Sequence, residues 1–224
     1  MKIKNKFFSV VLVVVTLLMT SIYRIDAAAY VAEMRLFSST QPLGHSWLLI
    51  TNTSNSTLTV GKFPLPAGEC VYVGTWGNLQ WDGIWYNAEG YQKREGELSN
   101  HNSVKMNLTS ANLNTITSKI NSHYNTWSVL DNCSSFAVEC WNAVSSTDLS
   151  AGIPNLPTHL AQNIPSVFPN TYSPNWNMPT KGDKETCYWN GTRLVYDTPN
   201  ETGSSSFSYQ DAEILIEQYD LELQ

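Results

Sequence analysis

A cysteine that opens a helix and a histidine that opens a strand are the side chains of this sequence best set for nucleophilic chemistry. The segment Asp131-Asn132-Cys133-Ser134-Ser135-Phe136 puts a polar pair just before an apolar-periodic run, so Cys133 falls in a first helical turn. The unpaired backbone N–H groups and the dipole at a helix start favour negative charge. A thiol there loses its proton more readily, and thiolate is the nucleophile. The same N–H groups suit an oxyanion as it forms. A thiolate nucleophile also needs a histidine as base and then acid. The chain has His45, His101, His123 and His159. His45, in Gly44-His45-Ser46-Trp47, begins an apolar strand that would fix it at the rim of the core. His101 reads as part of a polar loop, and His123 as lying near an exposed helix end. His159 falls in a proline-rich stretch.

Each residue also has a plainer reading. Cys133 shares a helix face with Phe136 and Cys140, which suits a core cysteine. His45 by itself suits a satisfied buried histidine. Together they are the two halves of a thiol hydrolase site, and this pairing shifts the balance.

The elements that must position them follow from local pattern. Tyr30 to Phe37, Ser46 to Ile50, Thr57 to Val60 and Cys70 to Gly74 read as strands, with a polar turn from Asn52 to Ser56. Together they predict an antiparallel meander. The stretch from Gly74 to Tyr86 is dense in Gly and Trp and reads as a structured loop. Its Trp76, Asn78 and Trp81 are candidates for one wall of a substrate groove. A helix is expected from Thr109 or Ser110, with Leu113, Ile116, Ile120 and Tyr124 at helical spacing. A second begins at Asp131-Asn132 and buries Cys133, Phe136, Ala137, Cys140 and Val144. The stretch 152–180 holds six of the ten prolines, which excludes a long helix. It is expected to be extended, with one short helix after Thr158. Asn190-Gly191 predicts a hairpin turn. Ala212, Leu215, Ile216 and Tyr219 predict a short terminal helix. Strands, then two helices, then strands argue for one α+β domain over residues 30–224.

Residues 1–29 read as a secretory signal: Lys2, Lys4 and Lys6, an apolar run from Phe7 to Met19, and a small-residue zone at Ala27, Ala28 and Ala29. The apolar run is short for a membrane span, which needs about 20 residues. The expected location is therefore extracellular or in the cell envelope. Removing this segment takes away four basic residues and one acidic one, moving the net charge from −6 to −9. An acidic chain repels phosphate backbones, so nucleic acid is a poor partner, and strong attraction to anionic lipid is disfavoured too. Four cysteines, Cys70, Cys133, Cys140 and Cys187, allow three pairings, and at least one is expected to be free. No Cys-x-x-Cys or His-x-x-x-His spacing suggests zinc, and no metal or cofactor is expected.

The order of the motifs carries a family resemblance. Gly44-His45-Ser46-Trp47, then a meander and a helix, then Asn132-Cys133-Ser134-Ser135-Phe136 resembles the circularly permuted branch of the NlpC-type papain-like superfamily. There the histidine strand precedes the cysteine helix. The likeness covers about residues 40–145. It implies Cys133 as nucleophile, His45 as base, and a papain-like α+β core. Members include peptidases, amidases and acyltransferases, and lecithin:retinol acyltransferase-like proteins share the permuted order. The resemblance also implies a third polar residue on the strand after the histidine. Here that strand offers Thr57, Thr59 and Lys62, none a good orienter of imidazole, and Asn52 comes too early. The role falls to a backbone carbonyl or to another segment, or the site is weak. The expected function is a secreted cysteine hydrolase that cleaves an amide in a peptide or cell-wall peptide. The alternatives are a non-catalytic peptide- or glycan-binding protein of the same fold, and an acyltransferase or lipase at a membrane surface.

Overall fold

The computed structural model describes residues 29–41, 44–128 and 130–200. The signal segment expected over residues 1–29, apart from Ala29, and the terminal helix expected at Ala212–Tyr219 lie outside these residues. No helix among the described residues is long and apolar enough to cross a membrane.

The chain forms a mixed α+β structure around one large antiparallel sheet. Its strands are β1 (Tyr30–Ser39), β2 (Ser46–Asn52), β3 (Leu58–Val60), β4 (Phe63–Leu65), β5 (Cys70–Trp76), β6 (Gly83–Tyr86), β7 (His101–Thr109), β8 (Ser173–Pro174), β9 (Cys187–Trp189) and β10 (Leu194–Tyr196). The helices are α1 (Ala88–Arg94), α2 (Ser110–Ser122), α3 (Cys133–Asn142) and α4 (Pro157–Val167). Eight strands lie in the order β10-β9-β6-β5-β2-β1-β7-β8, and β3 and β4 form a separate ribbon. Of the expected meander, β1, β2 and β5 lie side by side, but the strand expected over Thr57–Val60 leaves the sheet to pair with β4, and β6 continues the meander in its place.

Both faces of the central strands are covered, so β1, β2 and β5 are buried almost throughout. Alternation assigns residues to each face. Met34, Leu36, Leu48, Ile50, Val71 and Val73 join the main core with Ile116, Phe136, Cys140, Trp141, Leu160 and Ile164 from α2, α3 and α4. On the opposite side Phe37, Trp47, Leu49 and Tyr72 form a second core beneath Trp176 and Met178.

The helix starts follow their capping residues. Thr109 caps α2 in a reciprocal capping box with Asn112. Asn132 caps α3 by accepting from the Ser134 and Ser135 N–H groups at 2.8 and 3.3 Å. The Ser135 hydroxyl returns a contact to the Asn132 N–H at 3.3 Å. In the proline-rich stretch, α4 begins with Pro157 at a first-turn position, where no amide hydrogen is needed. The hairpin at Asn190-Gly191 joins β9 to β10.

Four local expectations are corrected. The Gly/Trp stretch is largely strand: β5 runs to Trp76, and Gly83–Tyr86 pairs with it as β6. The aromatic and β-branched residues there fit a buried pleat, which outweighs the glycine signal. His101 opens β7 and is buried, with its edge on Phe37 and Trp47. His123 caps the end of α2 and is buried rather than exposed, because its ring packs edge-on against Phe136 and its Nε2 faces Glu139 at 3.3 Å. Helix α1 has no counterpart in the sequence pattern, being seven residues long and interrupted by Gly90. Such a helix depends on tertiary packing rather than propensity.

Candidate active site

His45 sits one residue ahead of β2, in a position fixed by its backbone. Its carbonyl accepts from the Ser39 N–H at 2.9 Å across the β1–β2 connection. Gly44 makes that connection tight, since a β-carbon there would fall 2.3 Å from the Ser39 side chain. Cys133 opens α3, whose cap ties Ser134 and Ser135 to Asn132. Asn132 also donates through Nδ2 to the Asn155 carbonyl at 2.8 Å, and Asn155 donates to the Ser135 hydroxyl at 2.9 Å. The loop before α4 thus holds the start of α3 in place.

A buried run of serines fixes the strand and the helix together. The Ser46 and Ser134 hydroxyls lie 3.0 Å apart, and those of Ser38 and Ser46 lie 2.7 Å apart. Ser38 donates to the Pro157 carbonyl at 2.7 Å. All three serines are fully buried, so their hydrogen bonds replace water they cannot reach. The chain links β1, β2, α3 and the start of α4, the elements that bring His45 and Cys133 together.

The imidazole of His45 bridges two groups. Its Nε2 lies 2.9 Å from Glu89 Oε1, and its side chain is also hydrogen-bonded to that of Cys133. Glu89 comes from the first turn of α1 and is fully buried. It supplies the third polar group that the strand after His45 lacks. Its Oε1 also accepts from the Trp76 indole N–H at 3.0 Å. The Trp76 ring lies over His45, with centroids 3.8 Å apart and planes tilted by 32°. Trp47 stacks on the imidazole from farther away, at 5.6 Å. Gly74 lies directly beneath the contact: a β-carbon there would fall 1.9 Å from Glu89 Oε1 and 2.8 Å from His45 Nε2.

This arrangement sets opposite shifts on His45 and Cys133. Burial disfavours the imidazolium, but Cys133 and Glu89, by charge and hydrogen bonding, outweigh it and push His45 up to about 9. Burial likewise opposes the thiolate. The His45 charge and hydrogen bond, the Ser46 backbone N–H and the Ser134 hydroxyl outweigh that and lower Cys133 below the usual thiol range. The other cysteines shift the opposite way. Burial raises Cys70 and Cys140, and pushes Cys187 up to about 12. All four are unpaired. A thiolate–imidazolium pair is the charge state this environment favours, and only at Cys133.

The structure brings His45, Cys133 and Trp76 together. Trp81 points elsewhere: its indole donates to the Tyr124 carbonyl at 3.2 Å, and its ring stacks on Tyr188 at 5.0 Å. Asn78 lies half-buried in the connection between β5 and β6. Sequence reasoning missed Glu89 and Gly74. The only local signal for Glu89 is an acidic residue two positions after Asn87, which reads equally well as an ordinary helix-start carboxylate. Among the described residues no cluster of three or more His, Cys, Asp or Glu could hold a metal ion. No protein-family model, curated protein or solved structure matches this chain.

Proposed function

We propose that the chain is a secreted cysteine hydrolase of the permuted NlpC-type papain-like kind, cleaving an amide bond in a peptide or cell-wall peptide. One observation carries this reading: a helix-start cysteine, a strand-start histidine and a buried glutamate converge from three separate elements, in hydrogen-bond sequence. The chain order, with the histidine strand ahead of the cysteine helix, supports it.

In the first step the Cys133 sulfur attacks the amide carbonyl carbon, and the carbonyl π electrons move to oxygen. Backbone N–H groups at the start of α3 hold that oxyanion in this mechanism. The oxyanion then collapses, the C–N bond breaks, and the His45 imidazolium gives its proton to the leaving amine. The product is a thioester on Cys133. Water then attacks the thioester carbonyl, His45 takes the water proton, and the Cys133 thiolate leaves as the acid is released, restoring the thiolate–imidazolium pair. Glu89 keeps the imidazole oriented and stabilises its charged form through both half-reactions.

The test is the pH dependence of Cys133 alkylation, read by peptide mass spectrometry in the wild type and in His45→Ala. Cys70, Cys140 and Cys187 serve as internal controls. The proposal expects fast reaction at pH 6 and loss of that advantage without His45. A Cys133 no faster than an ordinary thiol in both proteins overturns it, and leaves the binding-protein reading.

A further inference from the structure

The inference concerns Trp76 and rests on the hydrolase reading. In that reading the imidazolium must persist where the thiolate forms. Glu89 alone does not explain how a carboxylate in a closed interior stays aimed at one ring nitrogen. Its Oε1 takes two donors at once, His45 Nε2 at 2.9 Å and Trp76 Nε1 at 3.0 Å. Two donors, one just ahead of β2 and one at the end of β5, converge on this one oxygen and hold it in place, while Oε2 has no hydrogen-bond partner among the described residues. The same tryptophan lays its ring over the imidazole at 3.8 Å, inside the range of about 6 Å in which an aromatic face attracts a cation. Trp76 ends β5 and is 8% exposed, so both contacts are shielded from water.

We propose that Trp76 is a positioning residue that holds Glu89 on His45 and stabilises the imidazolium of the Cys133–His45 pair. It acts through Glu89 and His45, not on the substrate. The titratable groups that face His45 are Cys133 from α3 and Glu89 from α1. Strand β5 contributes Trp76 and Gly74, and β2 contributes Trp47, all without charge.

The two contributions separate by substitution. Trp76→Phe keeps an aromatic face over the ring and loses the indole N–H. Trp76→Leu loses both. The readout is the full pH profile of Cys133 alkylation in each protein, from pH 4 to pH 10, by peptide mass spectrometry. Loss of a hydrogen bond to a charged group predicts that Trp76→Phe moves the acidic limb up by about one pH unit. Trp76→Leu moves it further in the same direction. The rate at the alkaline plateau, where the thiol is ionised without help, stays at the wild-type value in both. That pattern is specific to an effect on protonation. An acidic limb that does not move in either variant overturns the inference while leaving the hydrolase reading intact. So does a plateau that falls as far as the limb, the signature of a merely structural role. A wild-type profile with no acidic limb overturns both readings together.

Discussion

Replacing Gly74 with alanine sets the geometry of the site against ordinary strand preference. Gly74 lies inside β5, opposite Trp85 of β6. Glycine in a strand interior is less favourable than alanine by about 0.5–1 kcal/mol, so propensity alone predicts that Gly74→Ala stabilises the protein. The structure predicts the reverse. The new β-carbon would fall 1.9 Å from Glu89 Oε1, and ordinary contact begins at 3.4 Å, so the carboxylate must retreat by about 1.5 Å. Glu89 is fully buried, so its carboxylate cannot retreat into solvent. A retreat of that size breaks its 2.9 Å bond to His45. Overpacking of a core contributes about 1–3 kcal/mol, and a lost hydrogen bond to a charged group about 1.5–3 kcal/mol. The two overlap, giving a net destabilisation of about 2–4 kcal/mol. Urea unfolding at pH 7 measures this, and Cys133 alkylation at pH 6 should fall in parallel. Adding Glu89→Ala to Gly74→Ala removes the clashing carboxylate and should recover part of the loss. A neutral or stabilising Gly74→Ala refutes the reasoning. So does a penalty of the same size with and without the Glu89 carboxylate.

Glu89→Gln keeps the shape of the side chain and removes its charge, and should slow Cys133 alkylation at pH 6 roughly tenfold while leaving the alkaline rate unchanged. Raised above its ordinary range, His45 stays charged until the pH passes about 9. In the proposed mechanism the leaving amine takes its proton from imidazolium, so amide turnover should decline as pH rises through that value, whereas alkylation should not; paired rate profiles check this. Under native conditions a thiol-reactive chromophore should label Cys133 first, with Cys140 and Cys187 reacting only on unfolding, since burial raises both. Ser38→Ala removes the hydroxyl that links Ser46 to the buried Pro157 carbonyl, and should destabilise by about 0.5–1.5 kcal/mol in urea unfolding.

What the sequence determined about this protein was local. Asn132 before an apolar-periodic run is enough to place Cys133 in a first helical turn, because a cap acts on amides two and three residues away. The apolar run after His45 is enough to make it a strand start, and Asn190-Gly191 enough to turn a hairpin. These signals work because each depends on neighbours within a few residues. The partner of His45 was not legible, because it lies 44 residues away on a helix that sequence pattern does not reveal. Sheet order decided it. Laying β5 beside β2 and β6 beside β5 brings Gly74 under His45, carries Trp76 over its ring, and swings α1 across the strand so that Glu89 drops into the space a side chain at position 74 would fill. The same order turned the Gly/Trp stretch from a loop into paired strands and buried His101, and the packing of α3 against α2 buried His123. A residue's backbone conformation is set largely by its sequence neighbours. The charge it faces in the interior is set by whichever distant strand or helix packs against it, and that is fixed only when the whole sheet closes.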